Sequence, residues 1–163
     1  MKLSTTLAAT GVAGAIAAFG LASPAQAAVS PTAKPAACSV AKNKLVLAFA
    51  HDYVVRKKVD QPLSISTKGK KNCLLSGRPL VQLLDKKHRV ISFWLGTPGK
   101  VLVGPKHQAV FHLSYTTGGK HTVRPAYVRV SIMRHDGTFK PVRWNAKNPS
   151  SKIKVGPLKP WMD

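Results

Sequence analysis

Gln108-Ala109-Val110-Phe111-His112-Leu113-Ser114-Tyr115 decides how the rest of the chain is read. Ala109, Phe111, Leu113 and Tyr115 fall on one side and Gln108, His112 and Ser114 on the other, a period of two residues. That period marks a strand with one face on a core and the other in water, because successive side chains of an extended backbone point to opposite faces. The stretch 124–134 repeats it, with Ala126, Val128, Val130 and Ile132 on one side and Tyr127, Arg129 and Ser131 on the other. Shorter apolar runs follow the same logic at Leu45 to Ala50, Leu63 to Thr67, Leu80 to Leu84, Val90 to Leu95 and Ser151 to Val155. In the last of these, Ile153 and Val155 are expected to face inward and Lys152 and Lys154 outward. Gly, Pro, Asn, Asp and Lys separate the runs, which is strand-and-turn punctuation. No segment of ten or more residues has helical periodicity, and the Gly and Pro spacing would break one. The expected fold is all-β: an immunoglobulin-like antiparallel β-sandwich of seven or eight short strands around one core.

Charge is the other dominant feature. Lys and Arg number 26 against five acidic residues, all of them Asp, for a formal charge of +21 in 163 residues. Such an imbalance governs solubility and partners rather than strand packing, and it points to an anionic partner. Residues 1–27 place that partner. Lys2 precedes an apolar run from Leu7 to Leu21, and Ala25-Gln26-Ala27 supplies the small residues that a signal peptidase needs. The run is short for a bilayer span and lacks flanking stop-transfer charges, which a retained anchor would carry. Residues 1–27 therefore read as a cleaved secretory signal, and 28–37, rich in Ala, Pro, Ser and Thr, as a flexible leader. Removing the signal takes away Lys2 alone, so the charge falls by one to +20. Residues 38–163 form a single domain, with no transmembrane segment in the mature chain; the expected location is extracellular, with charge holding the protein to the cell wall.

Cys38 and Cys73 have only each other to pair with inside the molecule, and in an exported chain a disulfide is the expected state. Closing a loop of about 35 residues is worth roughly 3 to 4 kcal/mol in the chain-entropy model. A redox-active pair and a pair of metal ligands are the competing readings, and they lack a Cys-x-x-Cys and a neighbouring His.

Cys73-Leu74-Leu75-Ser76-Gly77-Arg78-Pro79, followed by Val81, Leu83 and Asp85, is the strongest local signature. It resembles the Cys-x-Leu-x-Gly-x-Pro segment of the actinobacterial secreted family known as domain of unknown function 4232. Cys38, the run Leu63 to Thr67, the turn at Leu102, Gly104 and Pro105, and the strand Ala109 to Tyr115 extend the resemblance over roughly residues 38 to 158. It is that of a divergent member lacking the second Cys pair. The resemblance implies a small exported β-sandwich and carries over no catalytic residue. Gly77 would then permit a bend that a β-carbon disfavours, and Pro79 would suit an edge or bulged strand.

The residues offer little for catalysis. Acid-base and glycosidase chemistry uses paired carboxylates, and five scattered Asp, read as loop carboxylates pairing with abundant Lys, are a poor supply. No Gly-x-Ser-x-Gly elbow, His-Glu-x-x-His or phosphate loop occurs. Six His residues, at 51, 88, 107, 112, 121 and 135, lack ligand spacing; His107 and His112 would face opposite sides of a continuous strand. A non-enzymatic protein with no metal and no cofactor is expected; an enzyme would need folding to bring an Asp and a His together in a cleft.

The bases fall into small groups: Arg56-Lys57-Lys58, Lys68 with Lys70 and Lys71, Lys86-Lys87 with Arg89, Arg129 on a strand, and Lys152 with Lys154. These are the candidate anion-binding residues. Their plainest role is a solvated cationic surface. Their sharper role is to bind anionic cell-wall polymers or acidic glycans. Nucleic acid without sequence specificity, or membrane activity, is the alternative. Base readout would want a recognition helix or a stacked aromatic platform, for which Tyr127, Trp94, Trp144 and Trp161 are the available aromatics.

Overall fold

The computed structural model describes residues 34–133 and 137–162. The signal sequence expected at 1–27 and most of the leader lie outside the described residues. Within them, β1 (Leu45–Phe49), β2 (Tyr53–Val55), β3 (Lys58–Thr67), β4 (Cys73–Leu84), β5 (Val90–Leu95), β6 (Gly99–Val103), β7 (Ala109–Thr116), β8 (Tyr127–Met133), β9 (Val142–Arg143), β10 (Lys154–Val155) and β11 (Lys159–Pro160) follow in order, with no helix. Seven of these are five residues or longer; β1, β3, β4, β5, β7 and β8 fall on runs expected from the sequence, β6 does not, and of the run Ser151 to Val155 only Lys154 and Val155 form a strand. The other four, β2, β9, β10 and β11, are too short to carry a period and arise from pairing with a longer neighbour.

The strands make two antiparallel sheets packed face to face, a β-sandwich. One runs β1-β3-β7-β10, with β2 also on β3 and β11 also on β7. The other runs β5-β4-β8-β9, with β6 also on β4. Alternation places Leu63 and Ile65 of β3, Phe111 and Leu113 of β7, Val81 and Leu83 of β4, and Val128 and Val130 of β8 fully inside. At about 25 cal/mol per Å² of apolar surface removed from water, each such side chain contributes roughly 1.5 to 3 kcal/mol. Gln61 breaks the apolar pattern of β3 at a buried position. Its Nε2 donates to the carbonyls of Ala50 (2.8 Å) and Pro62 (3.0 Å), which makes its burial tolerable and pins the chain leaving β1.

β4 is the longest strand, and it changes partners along its length. Cys73 to Gly77 pair with β6, whereas Arg78 to Leu84 pair with β8 and Leu80 to Leu84 with β5. The change falls at Gly77, whose φ of 143° suits a residue without a β-carbon. A β-carbon there would also run into the Met133 carbonyl oxygen. Cys73, at the start of the strand, forms the disulfide with Cys38, with Cα atoms 4.9 Å apart. The tether reaches back into the segment read as leader: Ala36 O accepts from Leu74 N (2.8 Å), Cys38 N donates to Leu74 O (3.0 Å), and Ala37 bridges Leu74 in parallel.

Two stability measurements follow. Gly77→Ala is expected to lower the unfolding free energy by about 2 kcal/mol or more, combining a disfavoured φ with a backbone clash, read as a lower urea midpoint at unchanged slope. Replacing both cysteines, Cys38→Ala with Cys73→Ala, is expected to cost about 3 kcal/mol on the same assay.

Candidate anion-binding site

The first sheet builds a row of unlike side chains on its outer face. Register sets Tyr53 of β2 opposite Asp60 of β3, Asp60 opposite Ser114 of β7, and Ser114 opposite Lys154 of β10. Lys58 and Thr116 pair in the adjoining row. These positions face outward because their neighbours Val59, Leu113, Tyr115 and Val155 are buried, and in a strand alternate residues must point the other way. The result is a groove of about 430 Å³ with Lys58, Lys152 and Lys154 around it and Tyr53 at its margin, 74% exposed.

Polar groups in the groove hold one another in place. Ser114 Oγ donates to Asp60 Oδ1 (3.1 Å), and His112 Nδ1 stands 2.8 Å from Asp60 Oδ2, where a carboxylate partner makes the nitrogen the donor. Folding thus brings an Asp, a His and a Ser together, but in the wrong order for a nucleophile. The Ser114 proton is committed to the carboxylate rather than to the imidazole that would have to remove it. Both His112 and Asp60 are nearly half exposed, so no dry cavity strengthens their pairing. Between Ser114 and Thr116, Tyr115 turns the other way into the core, where its hydroxyl donates to Lys147 O (2.9 Å). Burial, and secondarily the Asp52 charge, pushes its phenol far above the ordinary value, so it stays a neutral donor. Tyr115 also packs on Trp144, whose ring meets Phe49 edge-on at 5.5 Å.

The twelve bases singled out from the sequence do not form one face. Lys58, Lys152 and Lys154 meet at this groove although they lie nearly a hundred residues apart. Arg56 and Lys57 occupy the two-residue turn between β2 and β3, where Arg56 takes a left-handed φ of 57°. Lys68 lines a second cavity of about 610 Å³ with Lys44 and Lys140, two bases outside the sequence groups. Lys70 and Lys71 are exposed on the connection from β3 to β4, and Lys86, Lys87 and Arg89 on the turn from β4 to β5. Arg129 lies on the outer face of the second sheet, its Nε donating to Gln82 Oε1 (2.8 Å).

The carboxylates go to Arg89 and His112 rather than to lysine: Asp85 pairs with Arg89 at 2.7 Å and Asp60 with His112. Among the described residues no lysine is in an ion pair. His107 sits in the turn that follows β6, paired to Gly104, and not on β7 as a continuous strand would place it. No group of three or more metal-ligating side chains occurs among the described residues. Of the aromatics, Trp144 is buried, Trp94 packs against the core, and Tyr127 is stacked on His88 at 4.3 Å. The chain matches no protein-family model, no curated protein and no solved structure.

Asp85 shows how a carboxylate shapes one basic turn. The backbone N–H of Arg89, then its side chain and the backbone N–H of Lys87, hold the Asp85 carboxyl below its ordinary range against the opposing pull of desolvation. A depressed folded-state pKa stabilises the fold above the unfolded value, roughly pH 4, and that contribution disappears as pH falls through the folded value. Asp85→Asn is therefore expected to flatten part of the acid limb of stability below about pH 4. Melting temperature measured against pH checks it, with no change of slope as the contrary result.

Proposed function

We propose that this protein is a strongly cationic, non-enzymatic binding domain that works outside the cytoplasm on an anionic polymer of the cell envelope, such as wall teichoic acid or an acidic glycan. The observation that carries the reading is the convergence of Lys58, Lys152 and Lys154 beside the exposed ring of Tyr53. Three ammonium groups supply attraction to phosphates or uronates without demanding a fixed geometry, since each is a compact charge on a flexible stem. Ser114, whose proton goes to Asp60, can accept from a sugar hydroxyl, and Thr116 and Ser151 add further hydroxyls. Tyr53 offers the apolar face on which a sugar ring packs.

Three further features support the reading. The disulfide suits an oxidising compartment. No helix among the described residues is long and apolar enough to cross a membrane. Asp60, the one carboxylate in the groove, already has both oxygens engaged by Ser114 and His112, which blunts its repulsion of an anion. Membership of the family that the segment Cys73 to Pro79 resembles is part of the same proposal, supported by the tethered cysteine and the bend at Gly77.

Titration with purified anionic wall polymer, beside a neutral glycan and duplex DNA of similar length, tests it. Affinity for the wall polymer is expected to fall steeply with salt, and Lys152→Ala with Lys154→Ala to weaken it about tenfold and reduce the salt slope. Tyr53→Ala is expected to weaken glycan binding while leaving the slope unchanged. Salt-insensitive binding, or preference for DNA, would sink the reading.

A further inference from the structure

The outer face of the second sheet carries an apolar patch that its fold does not use. Register places Phe93 opposite Gln82 and Leu95 opposite Leu80 across β4 and β5, and Arg78 opposite Met133 across β4 and β8. Val81, Leu83 and Val130 point into the core, so Phe93, Leu95, Leu80 and Met133 share the outside of neighbouring rows. Phe93 is 67% exposed, and Leu95 and Met133 are each 47% exposed. β5 is also the end strand of its sheet, and its first residues, Val90 and Ile91, are exposed as well. Clustered apolar surface of this kind on a soluble fold marks a contact.

The rim identifies the contact. Arg78 and Arg129 lie within the patch, with Arg129 held upright by Gln82. Lys86 and Lys87 stand on the turn that enters β5, and at the other end Lys152 and Lys154 share a cavity with Phe93, Leu95 and Arg78. Asp85 stands at the start of that turn, and its oxygens are taken by Lys87 and Arg89. A second copy would bring the same basic rim against itself, and a neutral apolar partner would leave the arginines without counter-charge.

We infer that this face docks on an anionic lipid surface, with Phe93, Leu95 and Met133 entering the boundary between headgroups and acyl chains. Arg78 and Arg129 meet lipid phosphates, for which a planar guanidinium with paired donors is the better match. Apolar insertion and headgroup charge act together, each too weak alone for stable attachment. The two sites share Lys152 and Lys154 at their border, whereas Tyr53 and Lys58 belong to the groove only and Phe93 and Arg78 to the apolar face only.

Sedimentation of the mature chain with vesicles tests it, using phosphatidylcholine alone and phosphatidylcholine with about one third phosphatidylglycerol. Partitioning onto the anionic vesicles alone is expected. Arg78→Gln with Arg129→Gln should lower it about tenfold, and Phe93→Ser with Leu95→Ser by at least as much, at a melting temperature close to the parent's. Tyr53→Ala with Lys58→Ala should leave Phe93-dependent binding in place while weakening polymer binding about tenfold, which separates failure of this proposal from failure of the groove reading. Should the serine variant unfold, Phe93→Trp keeps the patch apolar, and quenching of its added fluorescence by brominated anionic lipid is the expected sign of insertion. Equal binding to neutral vesicles, no binding to either, absence of quenching, or a concentration-dependent dimer lost with Phe93 would each overturn the lipid assignment.

Discussion

A strand of twelve residues pairing with three others must turn its backbone, and β4 turns at Gly77 against the Met133 carbonyl. The rest of the molecule depends on that turn. Before it, β4 holds β6 and, through Cys73, the first described residues of the chain; after it, β4 is flanked by β5 and β8 and contributes to the outer rows of the second sheet. A β-carbon at this position would disturb both halves at once, because φ and the approach to Met133 are set together. Pro79 fits the same local logic. It lies just before the β5 pairing begins, and its carbonyl accepts from Gly96 N (2.7 Å) on that side, where no N–H is required of it.

Electrostatics acts on this frame without building it. With 26 bases against five acids, ion pairing cannot neutralise the surface, and the two ion pairs among the described residues use Arg89 and His112. The unpaired ammonium groups repel one another, a cost to the folded state that the apolar interior and the disulfide offset. On the proposed reading, the lysines without carboxylate partners are the groups that meet an external polyanion. Their spread over several surfaces permits contact with an extended ligand at more than one point, which adds avidity without new contacts at any one of them.

Much of the architecture was legible in single residues. Ala109 to Tyr115 and Ala126 to Ile132 alternate because each strand has one wet and one dry face, and their burial follows that alternation except at Val110, which is buried, and Ala126, which is only half-buried. Val90 to Leu95 is a strand with the expected bounds. Ile153 and Val155 are buried and Lys152 and Lys154 exposed, although only Lys154 and Val155 pair. What escaped detection was short or non-periodic. Tyr53 to Val55 gives no strand signal over three residues, yet it supplies the aromatic side of the groove. Lys44 and Lys140 lie far from Lys68 in sequence, and only packing gathers the three around one cavity.

Taken alone, the sequence determined the secondary-structure class, the pairing of Cys38 with Cys73 and the sign of the surface, because periodicity, cysteine count and net charge are properties of the chain itself. It could not say which bases share a site, since that depends on strand order and register. Tertiary structure decided that Lys58, Lys152 and Lys154 gather around Tyr53, that Asp60 is held by His112 and Ser114, and that Phe93, Leu95 and Met133 share an outer face. The reason is geometric. Pairing across β2, β3, β7 and β10 converts distances of tens of residues along the chain into neighbouring rows about 5 Å apart, and no local pattern encodes which rows will meet.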